Sequence, residues 1–198
     1  LILAFAYAFF VQRGGAFGDV TLAANQTLMQ LFFFTGLALD GTAIAAETMV
    51  GRAVGAEDKA RGLIDYRRAV FATFIVAMGS AAAFSLFYAA GGGVLLSVLS
   101  PDGPIKAEAA RYLPWVVASP LVVAAGFQLD GIFIGATRAR EMRDAMVITA
   151  LIFFPTTIIL ARFFGNHGLW AAFTLYFIMR GVTLALFMPR IARSFSNP

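Results

Sequence analysis

The chain has 198 residues, 60% of them hydrophobic and 21 of them Phe, and its mean hydropathy of +0.81 is far above that of soluble domains. With no cysteine and a single histidine, His167, disulfides, thiolate metal sites and Cys nucleophiles are excluded, and His-based triads and zinc clusters are disfavoured. The net charge of +4 does not point to nucleic acid, because the basic residues sort by connecting segment, as they do in membrane proteins.

Apolar stretches recur at about the 20-residue length that a bilayer core requires. The first, Leu1–Val11, is shorter and begins without methionine. It is expected to be the remainder of a truncated first span with more protein upstream; it lacks the basic start and small-residue cleavage site of a signal peptide. Leu22–Ala46 follows and carries only Asp40. Gly51–Arg68 is polar and charge-mixed, and its Glu57-Asp58-Lys59 suits an exposed turn. Ala69–Ala90 has no charge at all. Gly91–Pro104 opens on three glycines, turns apolar from Val94 to Leu99 and closes on Pro101-Asp102-Gly103-Pro104. That pattern predicts a hinge, a short interfacial helix and a tight turn. Tyr112–Thr137 carries only Asp130, Ala145–Ala161 carries no charge, and Gly168–Pro189 carries only Arg180.

These runs lack the ten-residue alternation of barrel strands, and only helices otherwise satisfy the backbone in lipid. The expected fold is all-α, a polytopic membrane protein built as a bundle of six transmembrane helices. Pro114, Pro120 and Pro155 are placed to bend their helices. Trp115 and Trp170 are expected as interfacial anchors. Gly36, Gly41, Gly51 and Gly55 are expected to allow close helix contact. An internal echo relates Leu39-Asp40-Gly41 to Leu129-Asp130-Gly131 at an offset of 90 residues.

Lys and Arg alternate between connections. The even connections and the tail hold ten, and the odd ones hold four. The positive-inside rule therefore places the even connections, the C-terminus and Leu1 in the cytoplasm. A charge at mid-membrane costs roughly 2.5–3.5 kcal/mol on insertion scales, so Asp40, Asp130 and Arg180 are candidates for a pathway through the bilayer. At 1.5 Å per residue they lie roughly 18, 12 and 15 Å from the inner ends of their helices, in one broad layer. Two acids and one base leave one carboxylate free to take a proton or sodium ion. The competing reading is a static pair between Arg180 and either acid, pinning helices together. Glu47 shares a helix face with Asp40, and Gln26 and Gln30 share a face near the outer half of the same helix; these three are secondary cavity candidates. His167 is expected to be solvated in an outer loop.

Several motifs extend this reading. Leu22-Ala23-Ala24-Asn25-Gln26 and Gly51-Arg52-Ala53-Val54-Gly55-Ala56-Glu57-Asp58 resemble the eighth helix and following loop of multidrug and toxin extrusion (MATE) transporters. Ala38-Leu39-Asp40-Gly41, the stretch Leu129–Arg143, and Gly165-Asn166-His167-Gly168-Leu169-Trp170 are similar to the DinF-like branch of that family. The resemblance implies the C-terminal lobe of a twelve-helix exporter of two six-helix lobes, the N-terminal lobe being absent from residues 1–198. It also implies exchange of organic cations or other toxic amphiphiles for protons or sodium by alternating access. Other family members carry a cation-binding acid on the seventh helix; Leu1–Gln12 has none, which favours proton coupling.

The resulting expectation is a multi-pass protein of the cell membrane, the bacterial inner membrane in particular. It would be a drug or toxin antiporter, not an enzyme, with H+ or Na+ as coupling ion and no cofactor or metal. Its partners would be small amphiphiles, membrane lipids and the N-terminal lobe, and no nucleic acid. A lipid-linked precursor flippase is the alternative, expected to have a more cationic cavity; a membrane-embedded enzyme is a more distant one.

Overall fold

A computed structural model describes residues 2–100 and 103–195. Leu1 and the Pro101-Asp102 half of the expected turn lie outside the described residues. Among the described residues the chain is helical throughout: α1 (Ile2–Gly15), α2 (Asp19–Val54), α3 (Lys59–Leu99), α4 (Pro104–Gly135) and α5 (Ala139–Arg193). The last four are long and apolar enough to cross a membrane. The count is five helices where the hydropathy pattern predicts six, and the difference lies in α5. Its 55 residues are interrupted at Gly165, with φ 57° and ψ −138°, a backbone region open essentially only to glycine. There the chain folds back. Gly168 lies against the backbone of Leu160 and Ala161, and Phe153 on the first limb packs edge-on to Tyr176 on the second, with centroids 5.3 Å apart. The apolar runs Ala145–Ala161 and Gly168–Pro189 lie in the two helical limbs that α5 joins across this kink.

Local signals account for several helix boundaries. The turn at Glu57-Asp58-Lys59 is exposed as expected, and Asp58 caps α3 by accepting from Ala60 N at 2.9 Å and Arg61 N at 3.1 Å. The hinge expected at Gly91–Gly93 does not form; α3 runs unbroken through all three glycines to Leu99. An apolar surrounding offers the backbone no alternative partner, so the helix persists despite its glycines. Gly92 also serves packing there, since a Cβ would fall 2.7 Å from Leu113 Cδ2 on α4. The helices likewise continue through Pro114, Pro120 and Pro155.

Glycine packing sets the tightest helix contact, though not at the residues expected. Gly131 and Gly135, one turn apart on α4, press against the carbonyl oxygens of Ala43 and Glu47 on α2, leaving no room for a Cβ at either position. Gly51 supports the same contact, its Cβ position 3.5 Å from the Gly135 oxygen, whereas Gly41 faces open space. Both pairings have the same offset, so residue n of α4 lies level with residue n−88 of α2 and the two helices run parallel. α3 runs antiparallel to α4, as Gly92 meets Leu113 and Ser85 Oγ donates to the Val117 oxygen at 2.5 Å.

The core divides into an aromatic cluster around Phe10, Phe32, Trp170, Phe173 and Phe177 and an aliphatic one around Val50, Leu129, Ile132 and Leu184. Large apolar side chains such as Phe71, Leu86, Val98, Leu151 and Phe163 are exposed. That is the inverse of a water-soluble domain, and lipid contact makes it favourable.

Candidate functional site

Asp130 on α4 and Arg180 on the second limb of α5 form an ion pair. Arg180 Nη2 donates to both carboxylate oxygens at 2.8 Å, and Nε reaches them at 3.2 and 3.1 Å. The arginine side chain is 7% exposed and the aspartate 22%, so the pair is embedded in the helix seam with one edge of the acid open. Small residues let the helices approach here: Cβ positions at Gly126 and Gly181 fall 3.8 Å from the Phe177 oxygen and the Gly126 nitrogen. On the aromatic side the seam is closed by the Phe127 and Phe177 rings, stacked at 9° with centroids 6.5 Å apart. Arg180 Nη1 is buried with no hydrogen-bond partner among the described residues.

Asp40 is exposed and takes no part in the pair. By the α2–α4 offset it lies two residues, about 3 Å along the axis, from the level of Asp130. Its charge is felt at Asp130. All three charges thus share one layer, with Arg180 committed to one acid and the other acid standing at the rim. The echo around the two aspartates is therefore not an equivalence: Leu39 and Leu129 are both buried, but Gly41 is open where Gly131 is packed, and Asp40 is free of the arginine that holds Asp130. Gln26 and Gln30 lie exposed on α2, and Glu47 is half-buried. Gln26, Gln30, Phe33, Leu37, Asp40 and Ile44 recur at helical spacing, so they form one exposed stripe. Gln30 also lines a groove of about 410 Å³ with Phe34, Phe87 and Leu95. Among the described residues no three Asp, Glu or His side chains gather as metal ligands would.

Two polar networks toward the Gly165 end escape sequence reasoning. Asn25 and Asn166 bond reciprocally, Nδ2 to Oδ1, at 2.7 and 2.9 Å, and Trp170 Nε1 donates to Asn25 Oδ1 at 2.9 Å. A Cβ at Gly14 would lie 3.0 Å from Asn25 Nδ2, so this knot ties the end of α1, α2 and the reversal of α5. Trp170 is thus buried and hydrogen-bonded, not an interfacial anchor, because its N–H has a partner inside the protein. Nearby, Glu108 accepts from Thr21 and Tyr112 at 3.2 Å and from Arg111 at 3.1 Å. His167 is exposed, as expected, and it also accepts from Trp115 Nε1 at 3.1 Å and meets the Tyr112 ring at 4.7 Å. The signal available for the first network was an asparagine within a largely apolar span; the partner 141 residues away was not readable. Asn25→Ala leaves the Trp170 N–H and the Asn166 amide unpaired, and each orphan costs about 1–3 kcal/mol. A lower unfolding midpoint in detergent, with red-shifted tryptophan emission, is expected; an unchanged midpoint would show the knot to be idle.

Fold and site define a multi-pass helical membrane protein with an ion pair buried between two of its helices. The chain belongs to the MatE family, whose model matches residues 1–163. It is 38% identical over 185 residues to DNA damage-inducible protein F of Escherichia coli (strain K12), covering 93% of this chain and 39% of that protein. It is 26% and 25% identical, over 166 residues each, to Protein DETOXIFICATION 42 and Protein DETOXIFICATION 43 of Arabidopsis thaliana. Those matches cover 82% and 84% of this chain and 31% of each relative. The chain spans less than half the length of the curated relatives it matches.

Proposed function

We propose that residues 1–198 form the C-terminal, six-span lobe of a secondary antiporter that exports organic cations or other toxic amphiphiles in exchange for protons or sodium. In this reading the first span is the α1 segment and the two limbs of α5 are the last two spans. The cytoplasmic side holds the C-terminus and the basic connections, in the bacterial inner membrane, and a second lobe completes the cavity. The names of the relatives support a role in detoxification.

The observation that carries the coupling role is the Asp130–Arg180 pair. A buried ion pair is a poor way to gain stability, and an intramembrane acid with one open edge is suited to take up a cation or proton. Asp130 is the coupling acid and Arg180 its counter-charge. Asp40 stands at the rim, where it attracts cations, and Gln26, Gln30 and Glu47 are the polar contacts of the cavity. The guanidinium already occupies both oxygens of Asp130, which favours a proton over a sodium ion that would need those oxygens as ligands.

The test uses the full-length protein in inside-out vesicles with an imposed proton gradient. Tetraphenylphosphonium is added and the gradient followed with a pH dye, with and without sodium. Gradient loss on addition is expected, and Asp130→Asn should cut the response at least tenfold at normal membrane insertion. Unchanged efflux in that variant would remove Asp130 from the mechanism. No response in either ion from well-inserted protein would shift the reading to a flippase of lipid-linked precursors.

A further inference from the structure

Next to the ion pair lies a second polar group that the reading above does not use. The Tyr176 hydroxyl and Arg180 Nη1 are both buried and both without a hydrogen-bond partner among the described residues; Tyr176 is 1% exposed and Arg180 6%. The two residues are four apart on the second limb of α5, so they share a face. A long helical side chain also leans toward the preceding turn, which carries the guanidinium toward the tyrosine. The guanidinium and the phenol lie within side-chain interaction range of each other, yet the hydroxyl and Nη1 stop short of a formed hydrogen bond. The tyrosine ring is held by Phe153 and Phe177, with centroids 5.3 and 5.2 Å away. Gln128, Tyr66 and Ser100 also carry buried orphans; Tyr176 and Arg180 are distinguished by facing each other as acceptor and donor.

We propose that Tyr176 is a second seat for the Arg180 guanidinium, occupied when Asp130 is neutralised, and therefore a positioning residue for the coupling step. The proposal rests on the reading of Asp130 as the coupling acid. When Asp130 takes a proton it loses its attraction for Arg180, which keeps its own charge because a guanidinium does not deprotonate in proteins. A buried cation without a partner is costly. Rotating Nη1 onto the Tyr176 oxygen supplies one hydrogen bond and satisfies both orphans. One proton is gained at Asp130, none is lost by Arg180, and the phenol stays neutral as acceptor. The titratable groups facing Asp130 are Arg180 and Tyr176 from α5 and Asp40 from α2; α1 and α3 contribute none among the described residues.

The second seat stabilises the protonated state, so removing it leaves Arg180 on Asp130 and makes protonation harder. Tyr176→Phe in the full-length protein should move the acid limb of proton-coupled tetraphenylphosphonium efflux down by about 0.5–1 pH unit, the equivalent of one modest hydrogen bond. An unmoved profile, with Asp130→Asn still abolishing coupling, would overturn the second seat and leave the coupling acid standing. A fully active Asp130→Asn would overturn both. Should Tyr176→Phe insert poorly, 3-fluorotyrosine at position 176 keeps the ring shape and weakens the oxygen as acceptor. It should shift the profile in the same direction by a smaller amount, and no shift would again refute the proposal.

Discussion

Gly131→Val is expected to force α2 and α4 apart and to cost the folded protein about 3 kcal/mol or more. A Cβ there meets the Ala43 carbonyl oxygen, with the Ala43 carbonyl carbon and Cα at 2.8 and 3.0 Å. These are backbone atoms, which cannot swing aside as the end of a side chain can. The clash also sits one residue from Asp130, so separating the helices pulls the acid's helix out of its seam with α5. Gly41→Ala is the matched control, because nothing lies within 4 Å of its Cβ position. It removes a helix-interior glycine and should be neutral or stabilising by up to about 1 kcal/mol. Unfolding midpoints of the two variants in detergent decide the matter. Equal effects would mean that the α2–α4 contact is not the close one described.

The second large effect is an asymmetry in breaking the ion pair. Removing one partner of a buried pair costs about 3–5 kcal/mol, because the other charge is left buried alone. The two partners differ in how they can escape that cost. After Arg180→Met, Asp130 keeps one open edge and can be neutralised by a proton. After Asp130→Leu, the arginine, 7% exposed, can neither deprotonate nor readily reach water. Asp130→Leu should therefore lie at the upper end of that range and Arg180→Met at the lower. The double variant Asp130→Leu/Arg180→Met should recover most of the loss while remaining inactive in coupled efflux. A thermal-unfolding double-mutant cycle measures this directly. If the double variant is no more stable than the worse single one, the pair is not the unit of stability described. If it still transports, the charges serve stability alone.

Much of the architecture was legible along the chain, and the glycine at the end of the first limb of α5 shows the limit of that legibility. The apolar runs on either side of Gly165 were readable as separate spans, since hydropathy reports each residue's transfer cost. How tightly the chain turns back between them at Gly165 was not, because the reversal depends on backbone contact between Gly168 and Leu160. The hinge expected at Gly91–Gly93 failed for a related reason: glycine lowers helix propensity, but in an apolar surrounding an unbonded backbone costs more. The Gly131–Gly135 spacing was present in the sequence and would have pointed to the α2–α4 seam. The glycines favoured instead, Gly41 among them, include one that touches nothing.

For the candidate site, the sequence by itself determined that Asp40, Asp130 and Arg180 lie at similar depth, since depth follows from residue count and helical rise. Membrane character and the apolar periphery were likewise readable from composition and run length. Only the tertiary structure decided that Arg180 joins Asp130 and leaves Asp40 at the rim, that Tyr176 faces the arginine, and that Asn25 ties down the reversal of α5 141 residues away. The physical reason is that depth and polarity are properties of one helix. Pairing depends on how each helix is rotated about its axis and which neighbour it packs against. Those angles are set by contacts such as the Gly131 and Gly135 backbone seam, which no single helix carries within itself.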